Sequence, residues 1–180
     1  MSTNFTTTIT TTATTRQAFD AINDVSAWWG RITGTTTAVG DEFVYVVPGL
    51  HYSGFRVTAL EPGRAIEWLV TGSYLDFVDD AQEWNNTTVR FNIAETTAGT
   101  QIVFTHDGLT AEGECYDVCS NAWGMFVNGS LRALLETGRG RPYLFGGDED
   151  LTEADHEDLH RQVAESAAGA SEMAPDTIQG

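Results

Sequence analysis

The chain has 180 residues, 41% of them hydrophobic, with nine Phe, five Tyr and five Trp: enough for one core-bearing domain and a remainder, and too apolar for wholesale disorder. Its nine basic residues, all Arg, face 26 acidic ones, for a net charge of −17. A field of that sign repels a phosphate backbone and an anionic bilayer, which excludes nonspecific nucleic-acid binding and disfavours membrane surfaces. No apolar run approaches the roughly 20 residues that span a bilayer. Met1–Ile9 carries neither the basic nor the apolar part of a secretory signal. Cys115 and Cys119, the only cysteines, are expected to be reduced packing residues rather than a disulfide staple. The chain is read as soluble and cytoplasmic, without membrane insertion.

In chain order, the Thr-rich segment from Asn4 suits a strand with one solvated face. A helix follows from Thr15, with Phe19, Ile22 and Val25 near helical spacing, and ends beside Trp28-Trp29-Gly30. Strands are expected at Asp41–Val47, Tyr52–Leu60 and Arg64–Thr71, parted by the turns Pro48-Gly49 and Glu61-Pro62-Gly63. In them Phe55, Val57 and Ala59, then Ile66, Trp68 and Val70, take alternate positions. Residues 76–86 are acidic and ambiguous. Val89, Phe91 and Ile93 alternate in the next strand, and Ile102, Phe104 and His106 in the last. From about Gly113, a stripe of Tyr116, Cys119, Trp123, Val127, Leu131 and Leu134 marks a long helix that Gly138 ends. Gly124 and Gly129 within it are candidates for close approaches. The short turns between strands require antiparallel pairing. The expected fold class is α+β: an antiparallel sheet covered by a long C-terminal helix, over residues 1–147. Residues 148–180 form an acidic extension, with ten acidic residues and one Arg, read as partly helical or disordered.

The chemistry-bearing residues are few. His106 and Asp107 are strand neighbours, which point to opposite faces, so they make a poor dyad. His106 on the inner face is either a satisfied core histidine or a ligand contact and candidate base. Trp68 and Trp123 either pack in the core or line a pocket and offer an indole donor. Of Trp28 and Trp29, one is expected to anchor a turn and the other to rim a cavity mouth. Glu67 and Arg90 fall on the solvated face, placed to pair across it. Cys115 and Cys119 lack the four-ligand spacing of a structural metal site, and His156 with His160 reads as an exposed helix face. No nucleophile elbow, phosphate loop or dinucleotide fingerprint is present, so no cofactor and no metal are expected.

A family resemblance rests on motifs in order: Trp28-Trp29-Gly30, Gly40-Asp41, Gly54-Phe55-Arg56-Val57, Glu61-Pro62, Ile66-Glu67-Trp68, Val89-Arg90-Phe91, the run from Gly99 to His106, Trp123-Gly124, and the helix from Leu131 to Glu136. Over roughly residues 5 to 140 the chain resembles the START/Bet v 1-like helix-grip superfamily. Within it, the resemblance is closest to proteins similar to the C-terminal domain of the activator of Hsp90 ATPase. That resemblance implies a curved sheet gripping a long helix around an apolar cavity. Its relatives include lipid and hormone carriers, polyketide cyclases and Hsp90-activator-like domains. On aromatic alternation and resemblance together, Phe55, Trp68, Phe91, Phe104, His106, Cys119, Trp123 and Val127 are the expected cavity lining. Noncatalytic binding of a small hydrophobic or amphipathic molecule is the expected function. The alternatives are a cyclase or hydrolase with His106 as base, and association with a chaperone. A second copy of the chain is a further candidate partner.

Overall fold

A computed structural model describes residues 3–143, so the acidic extension, with His156 and His160, lies outside the described residues. Strand β1 (Asn4–Thr11) buries Ile9 and Thr11 and exposes Thr6, Thr8 and Thr10. Helix α1 (Thr15–Asn23) starts at a reciprocal cap. Thr14 Oγ1 accepts from the Gln17 amide at 3.1 Å, and Gln17 Oε1 accepts from the Thr14 amide at 2.9 Å. Ala18, Phe19 and Ile22 form its buried face. The short α2 (Val25–Trp28) follows, then β2 (Ile32–Gly34), which the sequence pattern does not mark out because three residues are too few to show alternation.

Strands β3 (Glu42–Val47), β4 (His51–Glu61), β5 (Ala65–Leu75), β6 (Thr88–Thr96) and β7 (Gly99–Thr110) complete a seven-stranded sheet in the order β1-β7-β6-β5-β4-β3-β2. Every pairing is antiparallel. The β4–β5 register slips between Val57 and Ala59, so Ala59 leaves the inner face that Phe55 and Val57 occupy. On the outer face Arg90 Nε donates to Glu67 Oε2 at 2.8 Å, the expected cross-strand pair, and the same guanidinium lies 3.3 Å from Asp107.

The C-terminal helix runs without a break as α3 (Tyr116–Trp123), a π-helical stretch (Gly124–Leu131) and α4 (Arg132–Thr137). Gly138, at φ 79°, ends it in the left-handed cap that the sequence predicts. Gly124 and Gly129 mark no close approach, because a Cβ at either position would meet no atom within 4 Å. Both sit in the π-helical stretch, where glycine's weak α-helical preference opposes the wider winding least.

The core lies between the helix and the inner sheet face, and a row of rings fills much of it. Centroid separations run 4.9 Å from Phe43 to Phe55, 5.9 Å to Trp68, 5.2 Å to Phe91, 5.1 Å to Phe104 and 4.7 Å to Trp123. These are contact distances for edge and offset packing, each pair worth about 0.5–1.5 kcal/mol beyond its buried area.

Candidate ligand-binding pocket

The ring row stops short of one end of the sheet, and a hollow of about 180 Å³ remains there. Three segments wall it. The β3–β4 hairpin contributes Tyr45, Val47, Leu50 and His51; the helix contributes Val118, Cys119, Ala122, Trp123 and Phe126; the loop 76–87 contributes Phe77 and Trp84. Trp29 closes the base and Tyr143 the rim.

Trp28 and Trp29 are both buried: one anchors a turn, and the other borders the hollow from within rather than at its mouth. Trp28 anchors α2 by donating its indole N–H to the Ile22 carbonyl at 3.1 Å and packing edge-on against Phe91. Trp29 turns the other way, stacks on Tyr45 at 4.2 Å and meets Trp123 at 4.7 Å. Gly30 has to be glycine: a Cβ there would lie 2.7 Å from Tyr45 Cε2 and 3.1 Å from the Tyr143 carbonyl. That close approach lets the segment after the helix fold back onto α2. Ser130 Oγ donates to the Trp28 carbonyl and accepts from the Arg141 amide, both at 2.6 Å, and the Tyr143 amide donates to the Trp29 carbonyl at 2.9 Å.

Loop 76–87 is clasped to the start of α3 by two carboxylates. Glu83 accepts from the Cys115 amide at 2.9 Å, and Glu114 accepts from the Asp79 amide at 2.8 Å. Trp84 is thereby held over the hollow, its ring parallel to that of Trp123 with centroids 5.8 Å apart. Its indole N–H points to Cys115 Sγ at 3.2 Å. Cys115 and Cys119 are both free and buried. Contact with Cys119 and burial push the Cys115 thiol up, so it stays protonated.

His106 stands behind this wall. Trp123 donates its indole N–H to His106 Nδ1 at 3.0 Å, and His106 Nε2 lies 2.8 Å from Thr87 Oγ1. Thr87 spends its own proton on the Trp84 carbonyl at 2.6 Å. The chain of donors assigns the tautomer: Nε2 carries the proton and Nδ1 the lone pair. Burial, with a smaller contribution from His51, lowers the His106 pKa to about 3. Burial lowers that of His51 to about 3 as well; its Nε2 is 2.9 Å from Ser53 Oγ. Both imidazoles are neutral at pH 7.

Of the eight residues expected to line a cavity, Cys119 and Trp123 do so. Phe55, Trp68, Phe91 and Phe104 belong to the packed ring row, Val127 is on the buried side of the C-terminal helix, and His106 is fully enclosed. They do not face the hollow, because their rings fill the space between them. The indole donors expected for a ligand are likewise elsewhere: that of Trp123 is spent on His106, and that of Trp68 is buried without a partner. His106, the expected candidate base, is enclosed and does not line the hollow, and its Nδ1 lone pair accepts from Trp123. Sequence reasoning missed Trp84, Phe77, Tyr45 and His51. For Phe77 and Trp84 the available signal is an aromatic pair inside an otherwise polar acidic run, where no strand or helix needs them.

An antiparallel sheet closed over a long C-terminal helix, with an apolar hollow between them, defines a protein of the helix-grip class. The chain belongs to the family described as Activator of Hsp90 ATPase homolog 1-like protein, whose model matches residues 7–136. The solution structure of the Aha1 dimer from Colwellia psychrerythraea is similar at 24% identity and a TM-score of 0.63, over 77% of this chain and 99% of that one. Protein MLL2253 from Mesorhizobium loti is similar at 16% identity and a TM-score of 0.58, over 70% and 92%. DynU16, from the dynemicin biosynthetic locus, is similar at 17% identity and a TM-score of 0.59, over 85% and 59%. No curated protein matches the chain. Among the described residues no helix is long and apolar enough to cross a membrane, and no group of His, Cys, Asp and Glu is placed to hold a metal ion.

Proposed function

We propose that the protein binds a small apolar or amphipathic molecule in the hollow between Trp29, Tyr45, Trp84 and Trp123, and does not transform it. The observation that carries this reading is the hollow itself: an aromatic-lined space at the end of a core that is otherwise filled. Its size selects among ligands. An apolar cavity of about 150 Å³ takes up benzene, so about 180 Å³ suits a single substituted ring or a group of that bulk. A lipid tail or a folded polyketide needs the several hundred Å³ usual for larger ligands. Burial of apolar ligand surface supplies roughly 25 cal/mol per Å² before ordering costs. The noncatalytic part rests on His106, whose two nitrogens are both engaged. Two free thiols agree with a cytoplasmic setting.

The test is native mass spectrometry of the purified chain with extraction of any bound molecule, followed by tryptophan-fluorescence titration with indole and phenol. A saturable change is expected, because Trp29, Trp84 and Trp123 all touch the hollow. No retained mass and no saturable change with either probe would refute the reading. Self-association is a second reading, favoured by the exposed apolar side chains Leu50, Val118 and Tyr143 around the mouth with Met125 on the same helix. A single monomer boundary in sedimentation velocity at high concentration would exclude it.

A further inference from the structure

The chemistry of the walls restricts the charge of the ligand. Among the described lining residues none is Arg, Asp or Glu, and His51 is neutral. The indole donors of Trp84 and Trp123 are committed to Cys115 and His106, so these two rings offer the hollow π-electron density and no N–H. An anionic group would find no cationic side chain among the lining residues to offset the loss of its water, at a large desolvation cost. A cation whose charge is spread over methyl groups sheds water readily and is attracted by several aromatic rings at once. The approach to the hollow carries acid on one side. Asp76 lines the groove that shares Val47, Leu50 and His51, Asp117 precedes Val118 on the helix, and Glu83 and Glu114 clasp the loop that carries Trp84. Neither Arg31 nor Arg141, the basic residues nearest in the chain to Gly30 and Tyr143, lines the hollow.

We infer that the pocket selects a small methylated organic cation, of the quaternary-ammonium class, over a neutral molecule of the same shape. This deepens the proposed binding function and depends on it.

The full chain is titrated by calorimetry with choline, with its neutral isostere 3,3-dimethylbutan-1-ol, and with indole. Choline is expected to bind at least about tenfold more tightly than the isostere. That preference should shrink between about 20 and 500 mM salt as the acidic approach is screened. Tyr143 is on the rim and 46% exposed, so its replacement leaves the core intact. Tyr143→Leu is expected to weaken choline at least threefold more than it weakens the isostere. Equal or tighter binding of the isostere, or an equal loss of both ligands in Tyr143→Leu, overturns the cation inference. Indole binding without choline binding overturns it too, while the pocket reading stands. Failure of all three probes to bind overturns both.

Discussion

His106 makes the stability of this fold depend on pH in a way that a single substitution can isolate. In the folded chain its pKa is lowered to about 3 because the ring is enclosed and both nitrogens are engaged. In the unfolded chain it titrates near 6.5. Below that value the unfolded state binds a proton that the folded state refuses, so acidification favours unfolding. The stabilisation is present above pH 6.5 and is lost as the pH falls toward 3. At pH 5 the loss is 1.5 pH units at about 1.4 kcal/mol each, or about 2 kcal/mol from this residue. His106→Gln keeps an acceptor and a donor in the cavity but removes the titration. The part of the stability difference that does not depend on pH cancels when each protein is compared with itself. Urea unfolding followed by tryptophan fluorescence at about pH 7.5 and about pH 5 gives the two differences. The native chain should lose about 2 kcal/mol more than His106→Gln on acidification, since the carboxylates and His51 contribute to both proteins alike. Parallel losses within about 0.5 kcal/mol would show that His106 takes up its proton without unfolding, and the enclosed neutral tautomer would be refuted.

Three further outcomes follow from the same geometry. Thr87→Val strands the His106 Nε2 proton and the Trp84 carbonyl; at about 1–3 kcal/mol for each unsatisfied buried group, urea unfolding should show a loss of about 2–6 kcal/mol. Ser130→Ala removes both bonds that tie Arg141 to Trp28; tryptic cleavage after Arg139 should become faster while the unfolding midpoint of the sheet falls only modestly. Ala122→Phe places a ring in the hollow; indole binding should disappear while stability changes by about 1 kcal/mol or less, and retained indole affinity would place the binding site elsewhere.

The strands and the long helix were legible because their periodicities are strong. Val89, Phe91 and Ile93, then Ile102, Phe104 and His106, alternate without interruption, and the structure buries all six on one face. The Glu67–Arg90 pair follows from the same parity. The hollow was less legible, because alternation tells which side chains point inward but not whether they meet. Phe55, Trp68, Phe91 and Phe104 point inward and fill the interior. Trp84 sits in a segment with no period at all, and it reaches the pocket through long-range contacts: Glu83 to the Cys115 amide and Trp84 to Cys115 Sγ. Nothing local in residues 76–86 encodes those partners. The π-helical winding of residues 124–131 is equally invisible in the stripe, since residues four apart share a side in both kinds of helix.

Side-chain volume decides which end of the core stays open. Toward α4 the helix presents Val127 and Leu131, which are fully enclosed and meet the inner sheet face. Toward its start it presents Cys119 and Ala122, which are small, opposite the hairpin that carries Tyr45 and His51. A short side chain facing a distant strand leaves space that no neighbour can reach. Here two rings border that space instead of filling it, Trp123 tied to His106 and Trp84 tied to Cys115. Each indole that could have collapsed into the hollow is held back by a hydrogen bond that it would lose on moving, at a cost of about 1–3 kcal/mol for a buried donor. Those two bonds therefore keep the space open in the absence of a ligand, and the ring column behind them keeps it from extending further into the core.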